Sequence, residues 1–158
     1  MPQISYFDCH TSIGRPAKGI YRACRTADEL IAEMDWAGVE EALVYHVLMR
    51  EQSPVVGNRV ARDLLSETDR LWASWALLPP QTGELPVART FFRHMARQNV
   101  RALWVFPREH RYVLSRLTFG PLLDEVAARR IPLFLPRYAG GDQPEETFRL
   151  LERLLSDC

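Results

Sequence analysis

Ala42-Leu43-Val44-Tyr45-His46-Val47 is a short, mostly apolar run. Such a run reads as a strand buried on both faces, as strands of a parallel sheet are. Working outward, comparable runs recur along the chain. Leu71-Trp72-Ala73-Ser74-Trp75-Ala76-Leu77 is stopped by Pro79-Pro80, and Arg101-Ala102-Leu103-Trp104-Val105-Phe106 is closed by Pro107. Ile131-Pro132-Leu133-Phe134-Leu135 is the next, shortened or locally unpaired because Pro132 has no N–H. Upstream, Ile4-Ser5-Tyr6-Phe7-Asp8-Cys9-His10-Thr11-Ser12-Ile13-Gly14 supplies a strand over residues 4–9, and Gly14 breaks the pattern.

The intervals carry helical signals. Thr26-Ala27-Asp28-Glu29 is a capping box, Leu30, Ile31, Met34 and Ala37 form one apolar face, and Gly38 is placed to end the helix in a left-handed conformation. A second helix is expected from Pro54 to Glu67, with Val56, Val60, Leu64 and Leu65 inward. A third runs from Leu85 to Gln98 with Ala88, Phe91, Phe92 and Met95 buried and Asn99 as its cap. A fourth starts at Pro121, and a last one follows Gly140-Gly141 with Asp142 and Glu145 as a capping pair.

Strand–helix alternation implies parallel strands joined by right-handed crossovers. The later strands begin near residues 42, 72, 101 and 131, about thirty apart. A (β/α)₈ barrel spends ~250 residues on eight units, roughly thirty-one each. The chain of 158 residues thus reads as one α/β domain of five such units, which fits five of the eight units of a TIM-barrel-like fold. The same spacing fits an open, doubly wound sheet of flavodoxin type. That sheet would carry a Gly-rich phosphate loop after its first strand, and none stands here. The barrel order, each strand beside the next in sequence, is the expectation. It leaves the first and fifth strands as open edges through which chains self-associate.

Hydrophobic residues make up 47% and charged residues 25%, the composition of a globular protein. The net charge is zero, so no global basic field draws in nucleic acid or an anionic membrane. Lys18 is the one lysine among 20 basic residues, which removes lysine from most catalytic roles. Cys9, Cys24 and Cys158 have no metal-like spacing. No run is long enough to span a bilayer, and the chain reads as cytoplasmic with reduced thiols.

In parallel α/β folds, sites form at the C-terminal ends of the strands. His10 and His46 sit at or near such ends, Glu109 and His110 in the loop after the fourth strand, and Arg137 after the fifth. Asp8 and His10, two apart on a strand, are expected on one side, where a carboxylate and an imidazole can hold a metal or move a proton. His46 reads equally as a hydrogen-bonded core histidine, and Glu109 and His110 as a solvated loop. Arg137 fits a clamp for a substrate carboxylate or a helix cap. The loop bearing Arg15, Lys18, Arg22 and Arg25 is solvated or meets an anionic group. His94, inside a helix, is expected to be remote, and Cys9, Trp72, Trp75 and Trp104 to pack.

Phe7-Asp8-Cys9-His10-Thr11-Ser12-Ile13-Gly14 resembles the opening of the amidohydrolase-related metal-dependent hydrolases. So does Gly38-Val39-Glu40-Glu41-Ala42-Leu43-Val44-Tyr45-His46 at the second strand. Asp69-Arg70-Leu71-Trp72 with Leu78-Pro79-Pro80, Val100-Arg101-Ala102-Leu103 with Pro107, and the approach to Ile131-Pro132-Leu133 resemble later units. The resemblance covers nearly all of this chain and the N-terminal part of the family's barrel. It implies a metal-dependent hydrolase, or a decarboxylase, acting on a small anionic substrate with zinc or manganese. His10 would be a metal ligand and Asp8 a base or ligand orienter, with His46, Glu109, His110 and Arg137 as secondary or substrate positions. The family's His-x-His reads His10-Thr11-Ser12 here, and Leu135-Pro136-Arg137 stands where a further histidine is expected. The alternative is a non-catalytic, truncated homologue or a small-anion binding module.

Overall fold

A computed structural model describes residues 4–19 and 22–156. Five strands alternate with helices. They are β1 Tyr6–Ile13, α1 Ala27–Ala37, β2 Val39–His46, a single turn α2 Leu48–Glu51, α3 Pro54–Leu65, β3 Leu71–Ala76, α4 Ala88–Arg97, β4 Val100–Trp104, α5 Arg116–Ala128, β5 Leu133–Phe134 and α6 Pro144–Ser156. All four strand pairings are parallel, and the order is β1-β2-β3-β4-β5. A flavodoxin-type sheet would place β1 between β2 and β3. Here β1 lies at an edge, and the sheet curls into a half-barrel.

The register sorts the side chains into two faces. Ala42, Leu43 and Val44 pair with Leu71, Trp72 and Ala73, and Trp75 and Ala76 with Leu103 and Trp104. Alternation therefore puts Ala42, Val44, His46, Leu71, Ala73, Trp75 and Leu103 on the convex face. That face meets the helices: Leu30 and Met34 of α1, Ala61 and Leu65 of α3, Phe91, Phe92 and Met95 of α4, and Phe119, Leu122 and Val126 of α5 are buried in the same core. Leu43, Tyr45, Trp72, Ser74, Ala76, Trp104 and Phe134 occupy the concave face.

Local chemistry fixes the helix ends. The Thr26 hydroxyl accepts from the Glu29 N–H at 3.2 Å, and Gly38 closes α1 at φ 73°. Ser53 caps α3 with Pro54 in its first turn. Beyond Ala73, β3 has no paired β2 residue, and Asn58 of α3 takes over. Its buried amide donates to the Ala76 carbonyl at 2.9 Å and accepts from the Ala76 N–H at 2.7 Å. Gly57 lets α3 approach α2 closely, because a Cβ there would strike the Met49 backbone.

Several boundaries differ from the expectations. β1 runs from Tyr6 to Ile13 rather than over residues 4–9, and its pairing with β2 shifts register between Asp8 and Thr11. α5 begins after Ser115, whose hydroxyl accepts from the Thr118 N–H in a capping box, so Pro121 lies inside the helix rather than at its start. The missing Pro121 N–H would have met the carbonyl of Leu117, a residue 90% exposed, where water can serve. Gln143, not Asp142, joins the cap of α6, its N–H donating to Glu146 at 2.9 Å. β5 keeps only two ladder residues, flanked by Pro132 and Pro136. Cys9 is exposed rather than packed, Cys158 lies outside the described residues, and His94 is exposed on α4.

Candidate functional site

Four strands each send one ring to the C-terminal part of the concave face. His10 of β1 and Tyr45 of β2 lie 6.0 Å apart by ring centroids, with planes 12° apart. Trp104 of β4 is the hub: its ring is 5.1 Å from His10, 5.3 Å from Tyr45, 5.0 Å from Phe134 of β5 and 5.4 Å from Phe106, whose plane is parallel within 2°. The remaining strand, β3, makes room. Ala76 of β3 is the register partner of Trp104, and its methyl leaves space for the indole. Aromatic contacts of this kind contribute about 0.5–1.5 kcal/mol each beyond area burial.

These rings form the floor of an open cleft of about 790 Å³, whose rim is charged. Arg50, Arg108, Glu109, Arg137 and Tyr138 complete the lining with Leu135 and Pro136. Arg50 Nε donates to Glu109 Oε1 at 2.7 Å. Arg108 donates to the Gly141 carbonyl at 2.9 Å and to Asp142 Oδ1 at 2.5 Å. Arg137 lies over the Tyr138 ring at 5.6 Å and forms no ion pair with a carboxylate among the described residues.

Of the six residues expected to form the site, His10, Glu109 and Arg137 line this cleft, whereas Asp8, His46 and His110 do not. Each exception has a physical cause. Asp8 accepts the N–H of His10 at 2.9 Å, two residues on, and so supports the irregular segment where β1 shifts against β2. The shift also ends strict alternation, so the Asp8–His10 pairing expected of a regular strand does not apply. His46 points to the convex face and is buried, with Nδ1 accepting from the Leu48 N–H at 3.2 Å as α2 begins. Burial pushes its pKa below the ordinary 6.5. Gly14, at φ 106°, leaves room for this ring: a Cβ there would lie 2.7 Å from His46 Nε2.

His110 does have a partner: its Nε2 lies 2.7 Å from the Met49 carbonyl. A carbonyl oxygen only accepts, so Nε2–H is the donor in this contact. With the Arg50–Glu109 pair, this contact ties the loop after β4 to α2. The Tyr112 hydroxyl, its pKa raised chiefly by burial, accepts from the Phe106 N–H at 2.8 Å and holds the start of the same loop. Arg15, Lys18, Arg22 and Arg25 are exposed and line none of the cleft.

A catalytic zinc requires about three protein ligands. Among the described residues no group of three or more histidine, cysteine, aspartate or glutamate side chains is placed to hold a metal. In the cleft, His10 faces aromatic rings and Glu109 is engaged by Arg50, so the residues present do not fit the metal centre the resemblance implies. No helix among the described residues is long and apolar enough to cross a membrane.

Tyr45, Trp104, Phe106 and Phe134 are the site residues that sequence reasoning passed over. Their signal was present: three of them are rings near the C-terminal ends of the second, fourth and fifth runs, and Phe106 follows Trp104 by two. Comparison with protein-family models, with curated proteins and with solved structures gives no match, so the chemistry of the site rests on its own geometry.

Proposed function

We propose that the C-terminal mouth of this half-barrel binds a small planar organic anion, its ring laid on the Trp104 floor and its carboxylate turned to Arg137. The observation that carries this reading is the convergence of His10, Tyr45, Trp104, Phe106 and Phe134 beneath a guanidinium free of carboxylate partners among the described residues. Flat rings stack on such a floor, and a guanidinium matches a carboxylate through two parallel N–H donors. The role is binding. Among the described residues, His10 is the one imidazole lining the cleft, and the one carboxylate there is paired with Arg50.

Titrating benzoate against the quenching of tryptophan fluorescence tests the reading. Wild-type protein is expected to saturate, and Arg137→Ala to weaken binding at least about tenfold, the scale of one charge-assisted hydrogen bond. Absence of saturable binding at millimolar benzoate would end it.

The strand order supports a second reading, an amidohydrolase-like metal-dependent hydrolase or decarboxylase, in line with the motifs around His10 and Val39–His46. It requires ligands beyond the described residues. Close to one equivalent of zinc or manganese in tag-free protein, lost in His10→Ala, would establish it over simple anion binding.

A further inference from the structure

The rim of the cleft holds three arginines, and two of them are already neutralised. Arg50 is paired with Glu109, whose side chain is 24% exposed, and Arg108 with Asp142. Counting the charged lining residues together with Asp142, three guanidinium groups face two carboxylates, which leaves one net positive charge. That surplus sits at Arg137, the member without a carboxylate partner among the described residues. A ligand with one anionic group meets it and leaves both pairs intact. A second anionic group on the same ring finds Glu109 beside Arg50 and Asp142 on Arg108. To use either arginine it must displace a carboxylate that already makes a short, charge-assisted bond.

Resting on the anion-binding reading above, we infer that Glu109 and Asp142 set the charge selectivity of the cleft, restricting it to monoanions by holding Arg50 and Arg108 in internal ion pairs. Glu109 has the more direct part, because it lines the cleft itself, whereas Asp142 acts from behind Arg108. Selection by an occupied cation is a repulsive device: it works against the wrong ligand rather than for the right one. The pairing also fixes what a neutral substitution does. Glu109→Gln keeps the shape of the side chain and a hydrogen-bond acceptor but removes the charge, which frees Arg50 for a second anionic group.

The test compares benzoate with the three benzene dicarboxylates, so that no single spacing of the two groups decides the outcome. Binding is followed by tryptophan fluorescence at pH 8 in low salt, where charge–charge contacts are least screened. Wild-type protein is expected to prefer benzoate over every dicarboxylate. Glu109→Gln is expected to shift the ratio toward the best dicarboxylate by about tenfold, and added salt to erase the shift. Asp142→Asn, at a side chain 85% exposed, shifts it in the same direction and serves should Glu109→Gln fail to fold. Arg137→Ala weakens every ligand. If benzoate binds in an Arg137-dependent way but the folded variants leave the ratio within about twofold, the selectivity assignment is overturned while the binding reading stands. Preference of the wild-type protein for a dicarboxylate overturns it as well. If no carboxylate binds, both fall together.

Discussion

The two faces of the sheet are built from alternating residues of the same strands, yet they do different work. On the convex face, Val44, Ala73, Trp75 and Leu103 meet four helices, and the rings there touch other core rings, as Trp75 does Phe91 at 5.5 Å. On the concave face, Trp104 packs on both Tyr45 and Phe134 around an open cleft. Aliphatic side chains suit the first setting because they interdigitate without polar atoms. Rings suit the second because they offer flat area with few rotamers to lose. Core packing and the open cleft are separated here by strand parity, one residue apart.

The sharpest break of this comparison uses side chains on opposite faces near the β4–β5 junction. Leu103→Ala, at a fully buried convex position, is expected to cost about 2–5 kcal/mol in urea or thermal unfolding and to leave ligand affinity of the folded fraction unchanged. Phe134→Ala, at a half-buried concave position, is expected to cost roughly half as much and to weaken benzoate binding several-fold. Equal effects on binding from the two variants would refute the division between faces.

A slightly smaller effect is expected at Asn58, where the convex layer satisfies the end of a strand. Asn58→Ala strands the N–H and C=O of Ala76 in a buried setting, at a cost of about 2–4 kcal/mol. Asn58→Asp, when ionised, keeps the acceptor but loses the donor and places a buried charge against the Ala76 carbonyl, so near neutral pH it should not recover the stability lost in alanine. Unfolding midpoints of the three proteins check the order.

The legibility of the two faces in the sequence differed for physical reasons. The convex face is periodic: apolar runs spaced about thirty residues apart and helices with one buried stripe are enough to anticipate parallel strands, whereas the same spacing fits a barrel order and an open doubly wound sheet alike. The concave face was harder. The irregular pairing at Asp8–Thr11 belongs to the partnership of β1 with β2 and leaves no mark in either sequence segment. His110 looked unsupported because its partner, the Met49 carbonyl, belongs to α2, a single turn too short to show helical periodicity. Trp104 was assigned to packing because hydrophobicity alone does not say whether a ring faces helices or a cleft. The parity of Leu103 and Trp104 in the β3–β4 register decides that. Arg137 and Glu109 were legible, since loops after strand ends were already the place to look.

The mildest test concerns a buried ionisable side chain on the convex face. His46 is buried, and its pKa lies below the ordinary 6.5 because the charged ring loses water there. In the unfolded chain it binds a proton more readily than in the native state. By linkage, stability is therefore full above pH 6.5 and is lost as the pH falls from that value through the lower folded one. A charged ring would also carry a proton on Nδ1, where the Leu48 N–H now donates, and would weaken the start of α2. Arg50 and the Met49 carbonyl sit in that turn, so the rim contacts to Glu109 and His110 should loosen together with it. His46→Asn keeps a side-chain acceptor for Leu48 and cannot titrate in this range. The wild-type melting temperature is expected to drop between pH 7.5 and pH 5 by more than that of His46→Asn, with histidine protonation resolved by NMR. Parallel curves for the two proteins would mean that His46 contributes nothing to the pH response.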